Sequence, residues 1–119
     1  MKPIRLEIPR VASGLNGSRG LKNMHYRNYG KLRDSWQLEI RSLTNAKIKG
    51  RVSIDYTRSS VVAMDWDNLC ASFKVIGDAL VANGIIEDDN PEIVVEFRPH
   101  WRKAKNNKDL ITIIEITPL

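Results

Sequence analysis

Between Asp67 and Gly84 the apolar residues Leu69, Phe73, Ile76 and Leu80 recur at steps of four, three and four. At about 100° per residue they share one helical face, and Asp67, Ala71, Lys74 and Asp78 share the opposite one. A helix written this way must bury its apolar stripe against a second element. Asp67 is a favourable N-cap residue and Gly84 a favourable stop.

The segments around this helix supply what it can pack on. Ile4, Leu6 and Ile8 alternate with polar residues, as do Val52, Ile54 and Tyr56. Both runs have the period of a half-buried strand. Ile93–Phe97 and Leu110–Thr117 read as two further strands. From about Lys31 to Thr44 the apolar positions are Leu32, Trp36, Ile40 and Leu43, one face of another helix. Residues 9–30 hold Pro9 and four glycines and read mostly as loop. The expected order is βαβαββ: an α/β chain of the α+β type, with helices packed on one mixed sheet. The basic stretch Arg98–Lys108 should join the last two strands as a long hairpin connection, Asn106 and Asn107 near its tip. A length of 119 residues suits a single domain over residues 1–119.

Charge is unevenly placed. The net charge is +5, a weak pointer to nucleic acid by itself. Arg10–Arg33 holds six bases and no acid, and Arg98–Lys108 holds five and no acid. Asp65–Glu96 holds eight of the fourteen acids and only one base, Lys74. Either basic stretch alone reads equally well as solvated surface. Together with the acidic middle they suggest bases gripping phosphate and acids holding a metal. No apolar run approaches the roughly 18 residues a bilayer span needs, and MKPIRLEIPR has no signal core. A cytoplasmic protein without a membrane partner is expected. The single Cys70 fits a reducing compartment.

The chemistry concentrates at Asp65-Trp66-Asp67-Asn68, where the chain enters the helix, and at Glu87-Asp88-Asp89-Asn90 beyond its end. Two carboxylates at a turn into a helix can converge on one cation. Asp88 or Asp89 can join them only if the chain doubles back after Gly84. Hard oxygen donors without a Cys or His cluster favour Mg²⁺, with Mn²⁺ as a substitute, over zinc. His25 and His100 have no metal-ligand spacing. An isolated D-x-D-N is also a common cap or turn. An EF-hand is excluded because Cys70 stands where that loop needs glycine. Gly14–Gly20 lacks the ending of a P-loop. Trp36 reads as core, whereas Trp66 and Trp101 stand beside charged residues.

The pattern Asp65-x-Asp67-Asn68-Leu69, Lys74-x-x-x-Asp78-Ala79-Leu80, Gly84, Asp88-Asp89 resembles the RusA family of Holliday junction resolvases. The resemblance covers nearly the whole chain and is most specific over residues 65–89. It implies that Asp65, Asp67 and Asp89 hold the catalytic metal, that Asp88 supports them, and that Lys74 is the family's essential lysine. The chain departs from the pattern by about one helical turn between Asn68-Leu69 and Lys74, and its amino-terminal loop matches only loosely. The resemblance also implies a homodimer that cuts four-way DNA junctions by paired symmetric nicks in recombination and repair, with no organic cofactor. Arg19, Lys22, Arg27, Arg58, Arg102, Lys103 and Lys105 are the candidate phosphate contacts, and the strand Leu110–Ile116 a candidate dimer edge. Two other readings stay open: a structured-DNA-binding module without catalysis, and a small phosphohydrolase.

Overall fold

The structure is a computed structural model that describes residues 2–14 and 26–119. The elements are β1 (Ile4–Ile8), α1 (Tyr26–Leu43), β2 (Val52–Ser60), α2 (Trp66–Ser72), α3 (Lys74–Ala82), β3 (Val94–Lys103) and β4 (Ile111–Pro118), with a short 3-10 turn at Asn107–Asp109. They form one four-stranded mixed sheet in the order β1-β4-β2-β3. β2 runs parallel to β3 and antiparallel to β4, and β4 pairs antiparallel with β1. No helix among the described residues is long and apolar enough to cross a membrane.

The core lies between one sheet face and the helices. Val52, Ile54 and Tyr56 of β2 are wholly buried, as are Ile114 and Ile116 of β4. Trp36 and Ile40 of α1, Leu69 of α2, and Val75, Ile76 and Leu80 of α3 close over them. The two helical stripes read from the sequence therefore face inward as expected, except that Leu43 at the end of α1 is exposed.

Several boundaries differ from the sequence reading. α1 begins at Tyr26 rather than near Lys31, so part of the glycine-bearing segment is helical. The N-cap of α2 is Asp65, not Asp67: its carboxylate accepts from the Asn68 amide at 2.9 Å, and Asp67 falls in the first turn. The expected continuous helix breaks at Phe73. The buried Ser72 hydroxyl donates to the Leu69 carbonyl at 2.6 Å, and the Phe73 amide turns to the Cys70 carbonyl instead. A serine bonding back in this way bends a helix. Tyr56 Oη meets the same Ser72 hydroxyl at 2.6 Å, which fixes the bend to the sheet.

The topology corrects two expectations. β3 continues to Lys103, so half of the basic stretch is strand rather than connection. β3 and β4 do not form a hairpin, because β2 lies between them. β4 is therefore interior and offers no edge to a partner; the free edges belong to β1 and β3. The amphipathic pattern identified the strands, but strand order depends on long-range pairing that alternation does not encode.

The second sheet face carries a rung of charge. Arg5 stands opposite Glu115, Glu115 opposite Asp55, and Asp55 opposite Arg98. Glu115 and Asp55 are like charges side by side, and each is neutralised from its outer neighbour. Arg5 Nη1 reaches Glu115 at 2.8 Å, and Arg98 grips both Asp55 oxygens at 2.8 Å. Arg98 holds the Asp55 carboxyl down to about 2, with help from His100 and against partial burial. A depressed carboxyl contributes stability above its ordinary value near 3.8 and loses it as pH falls toward 2. Asp55→Asn is expected to cost about 1–2 kcal/mol near neutral pH, allowing for solvent screening. In urea unfolding the difference from wild type should shrink between about pH 4 and pH 2. A difference of the same size at the acid end would assign it to packing instead of charge.

Candidate functional site

β2 ends at Ser60, and residues 61–65 lead into α2. Asp65 and Asp67 are both exposed at that entry. The amino-terminal segment passes close by. A Cβ on Gly14 would lie 2.7 Å from Met64 Cε and 3.2 Å from Asn68 Oδ1, so the backbone there approaches this segment closely. The D-x-D-N segment is thus packed beneath residues that precede α1.

α3 ends in a Schellman turn. Gly84 takes φ +71°, its amide donates to the Val81 carbonyl, and the Ile85 amide donates to Leu80. An L side chain at that φ costs about 1–2 kcal/mol, which explains the glycine. Ile85 and Ile86 then bury themselves, and the Ile85 carbonyl accepts from the Ile48 amide at 2.9 Å. The chain does double back. Asp89 Oδ2 lies 3.5 Å from where a Gly77 Cβ would stand, beside the first turn of α3.

There Asp89 joins Lys74 on a cavity of about 520 Å³, also lined by Cys70, Ala71, Phe73 and Phe97. Lys74 Nζ donates to Asp78 Oδ1 at 3.2 Å. The other Asp78 oxygen accepts from Tyr29 Oη of α1. Burial and the Asp78 carboxylate raise the Tyr29 phenol well above its ordinary value, so it remains a donor at any working pH. Asp89 is also raised: desolvation leads, Asp88 and Asp78 add to it, and Lys74 opposes. Asp88 is engaged locally, accepting from the Asp89 amide at 2.7 Å and from Asn90 Nδ2 at 3.0 Å.

The carboxylates therefore stand in two groups. Asp65 and Asp67 mark the α2 entry; Asp78, Asp89 and Lys74 gather at α3. Ala71 connects them: it lines the cavity with Lys74 and Asp89, one turn after Asp67. Their oxygens are the donors Mg²⁺ prefers. Among the described residues, no three His, Cys, Asp or Glu side chains gather closely enough to hold a metal ion.

The candidate phosphate contacts divide similarly. Arg102, Lys103 and Lys105 are exposed at the end of β3 and just beyond it, and none has an acidic partner among the described residues. Arg27 is exposed near the start of α1. Arg58 is half-buried and donates to the Ala12 carbonyl, so it ties β2 to the amino-terminal segment. Arg19 and Lys22, like His25, lie outside the described residues. His100 sits on the open sheet face, 3.2 Å from Asp55. Trp36 is core, and Trp101 is half-buried with Nε1 donating to Ser60 Oγ at 2.9 Å.

Compared with known protein families and with curated proteins, the chain matches none.

Tyr29 is the site residue that sequence reasoning missed. Its partner lies 49 positions away, and no local pattern distinguishes a tyrosine that packs from one that bonds. Tyr29→Phe and Asp78→Ala should each cost about 1 kcal/mol in urea unfolding. The double variant should cost little more than the worse single one, since the bond is already lost. Fully additive costs would mean that the two side chains do not support each other.

Proposed function

We propose that this chain is a Mg²⁺-dependent endonuclease of branched DNA, of the RusA type. The observation that carries this is the return of Asp89 to Lys74 after the Gly84 turn, onto a cavity wall that reaches within one helical turn of Asp67. That return is what the motif spacing required if the two acidic segments were to act together. Asp65, Asp67 and Asp89 are the residues proposed to hold the ion, with Asp88 beside them and Mn²⁺ as a substitute; the α2 entry and α3 would have to close on it, since the three carboxylates do not gather around one point among the described residues.

When bound, the ion would supply a Lewis acid for phosphodiester hydrolysis and would offset the repulsion between carboxylates and an anionic substrate. Lys74 is held by Asp78, and Asp78 in turn by Tyr29, so its ammonium has a defined place from which to stabilise charge on a phosphate. Arg102, Lys103 and Lys105 would carry backbone phosphates, so binding should fall steeply with salt. A two-fold junction suits a homodimer; in this fold the pairing would use a surface other than β4, which is interior.

A second reading has a specific observation in its favour. Asp65 serves as a helix cap, and Asp78 is bonded at both oxygens, as expected in a DNA-binding module without catalysis. The two readings separate on a labelled four-way junction incubated with Mg²⁺ or Mn²⁺. The nuclease gives paired symmetric nicks in the junction and none in linear duplex. Asp67→Asn should reduce cleavage by roughly 100-fold or more while junction binding stays close to wild type. Binding without cutting under both metals would leave the module reading, and full activity in Asp67→Asn would sink the site assignment.

A further inference from the structure

Among the described residues, Trp66 takes no part in the buried core. It occupies the first position of α2, whose cap is supplied by Asp65 and whose buried anchor is Leu69. Its side chain is 69% exposed. Four residues earlier, Val62 is 77% exposed, and Ala63 between them is also open to solvent. Single exposed apolar residues are ordinary on a protein surface. What sets these apart is their surroundings.

The surroundings follow from the parallel pair. β2 and β3 end on the same rung, Ser60 opposite Lys103, and the Ala104 amide continues the pairing onto the Ser60 carbonyl at 3.0 Å. The segment leading to Trp66 and the basic segment after β3 therefore emerge side by side. Asn107 and Leu110 line one hollow with Val62, Ala63 and Met64. Arg102, Lys103, Lys105 and Lys108 belong to the segment that flanks this hollow, and none has an acidic partner among the described residues. Asp65 and Asp67 flank Trp66 in the chain, and both repel phosphate. A ligand for this surface needs a flat, uncharged face to lie on the indole and anionic groups displaced from it, toward the lysines. An unstacked nucleobase attached to its phosphate backbone has that form.

We propose that Trp66 is a stacking platform for a nucleobase exposed at the branch point of DNA, with Arg102, Lys103, Lys105 and Lys108 holding the adjoining phosphates. The inference rests on the proposed DNA substrate but not on cleavage. Stacking on an aromatic side chain is strong and tolerant of sequence, and every base has a face to offer. An intact duplex keeps its bases stacked and gains nothing from the indole. Trp66 therefore contributes discrimination between branched and linear DNA.

The test is a titration without divalent metal, using a four-way junction carrying 2-aminopurine at the crossover, beside a linear duplex. Trp66→Ala is expected to weaken junction binding about tenfold and duplex binding by less than about twofold. Trp66→Phe, which keeps an aromatic face, should bind the junction within about threefold of wild type. The 2-aminopurine emission should change with wild type and Trp66→Phe but not with Trp66→Ala. Wild-type junction affinity in Trp66→Ala overturns the proposal. So does an equal loss on junction and duplex, which would make Trp66 a general contact or part of a protein-binding surface. Metal-dependent cutting by wild type, with Trp66→Ala binding normally, removes this inference alone. The full Trp66 effect with no cutting under any metal removes the nuclease alone.

Discussion

Two parallel strands cannot be joined by a tight turn; the chain must travel back along the sheet before the second strand can begin. The β2–β3 pair imposes that requirement here, and residues 61–93 are the answer to it. The crossover brings α2 and α3 onto one sheet face, which buries the apolar stripe that Leu69, Ile76 and Leu80 write into the sequence. It also sends the carboxyl ends of both strands to the same rim, where connections are free to vary and ligands of open α/β sheets commonly bind. The acidic α2 entry and the basic segment after β3 are neighbours for this topological reason, although some forty residues of sequence separate them.

The crossover is shaped by two local devices. Ser72 takes the Leu69 carbonyl away from the helical ladder, so the helix bends where Phe73 settles against Tyr56 and Phe97 at ring separations of 5.1 and 4.8 Å. Gly84 then adopts a backbone conformation costly to other residues and reverses the chain. Together they place Asp89 alongside the first turn of α3 rather than beyond its last. Lys74 sits just after the bend, so its position along the axis is not that of a continuous helix counted from Asp67.

What could be read in advance, and what could not, follows from the range of the interactions involved. The apolar period located both helical faces and all four strands, because burial acts residue by residue along the chain. Gly84 as a helix stop is legible from backbone chemistry, whereas the reversal after it is only a condition that the spacing permits. The sequence points to Asp67 as the cap where Asp65 holds it, since two aspartates two residues apart are equally good caps until the tertiary structure chooses one. The bend at Phe73 was not legible, because a serine becomes a helix-bending donor only when buried under Tyr56. Nor was the insertion of β2 between β3 and β4, which is a choice among pairings that the same alternation allows. Of the candidate site, the sequence spacing makes doubling back after Gly84 the condition for Asp88 or Asp89 to join Asp65 and Asp67; the chain doubles back, but Asp89 comes to Lys74 instead, and the Tyr29 bond to Asp78 joins elements with no sequence signal linking them.

The same comparison shows why net charge alone says little about this surface. Along β3 the first basic residue, Arg98, is neutralised by Asp55 and Glu96, so it stabilises the sheet and presents little free charge to a ligand. Further along, Arg102 and Lys103 have no acid opposite them: their partners across the ladder are Ser59 and Ser60. The strand thus changes from internally balanced to uncompensated cation over a few residues, and the uncompensated end lies at the rim from which residues 61–65 lead into α2. The proposed phosphate contacts rest on this contrast between uncompensated cations at the end of β3 and carboxylates at the α2 entry. Placement of charge against these partners, more than its total of +5, is what leaves one rim of the fold with uncompensated cation.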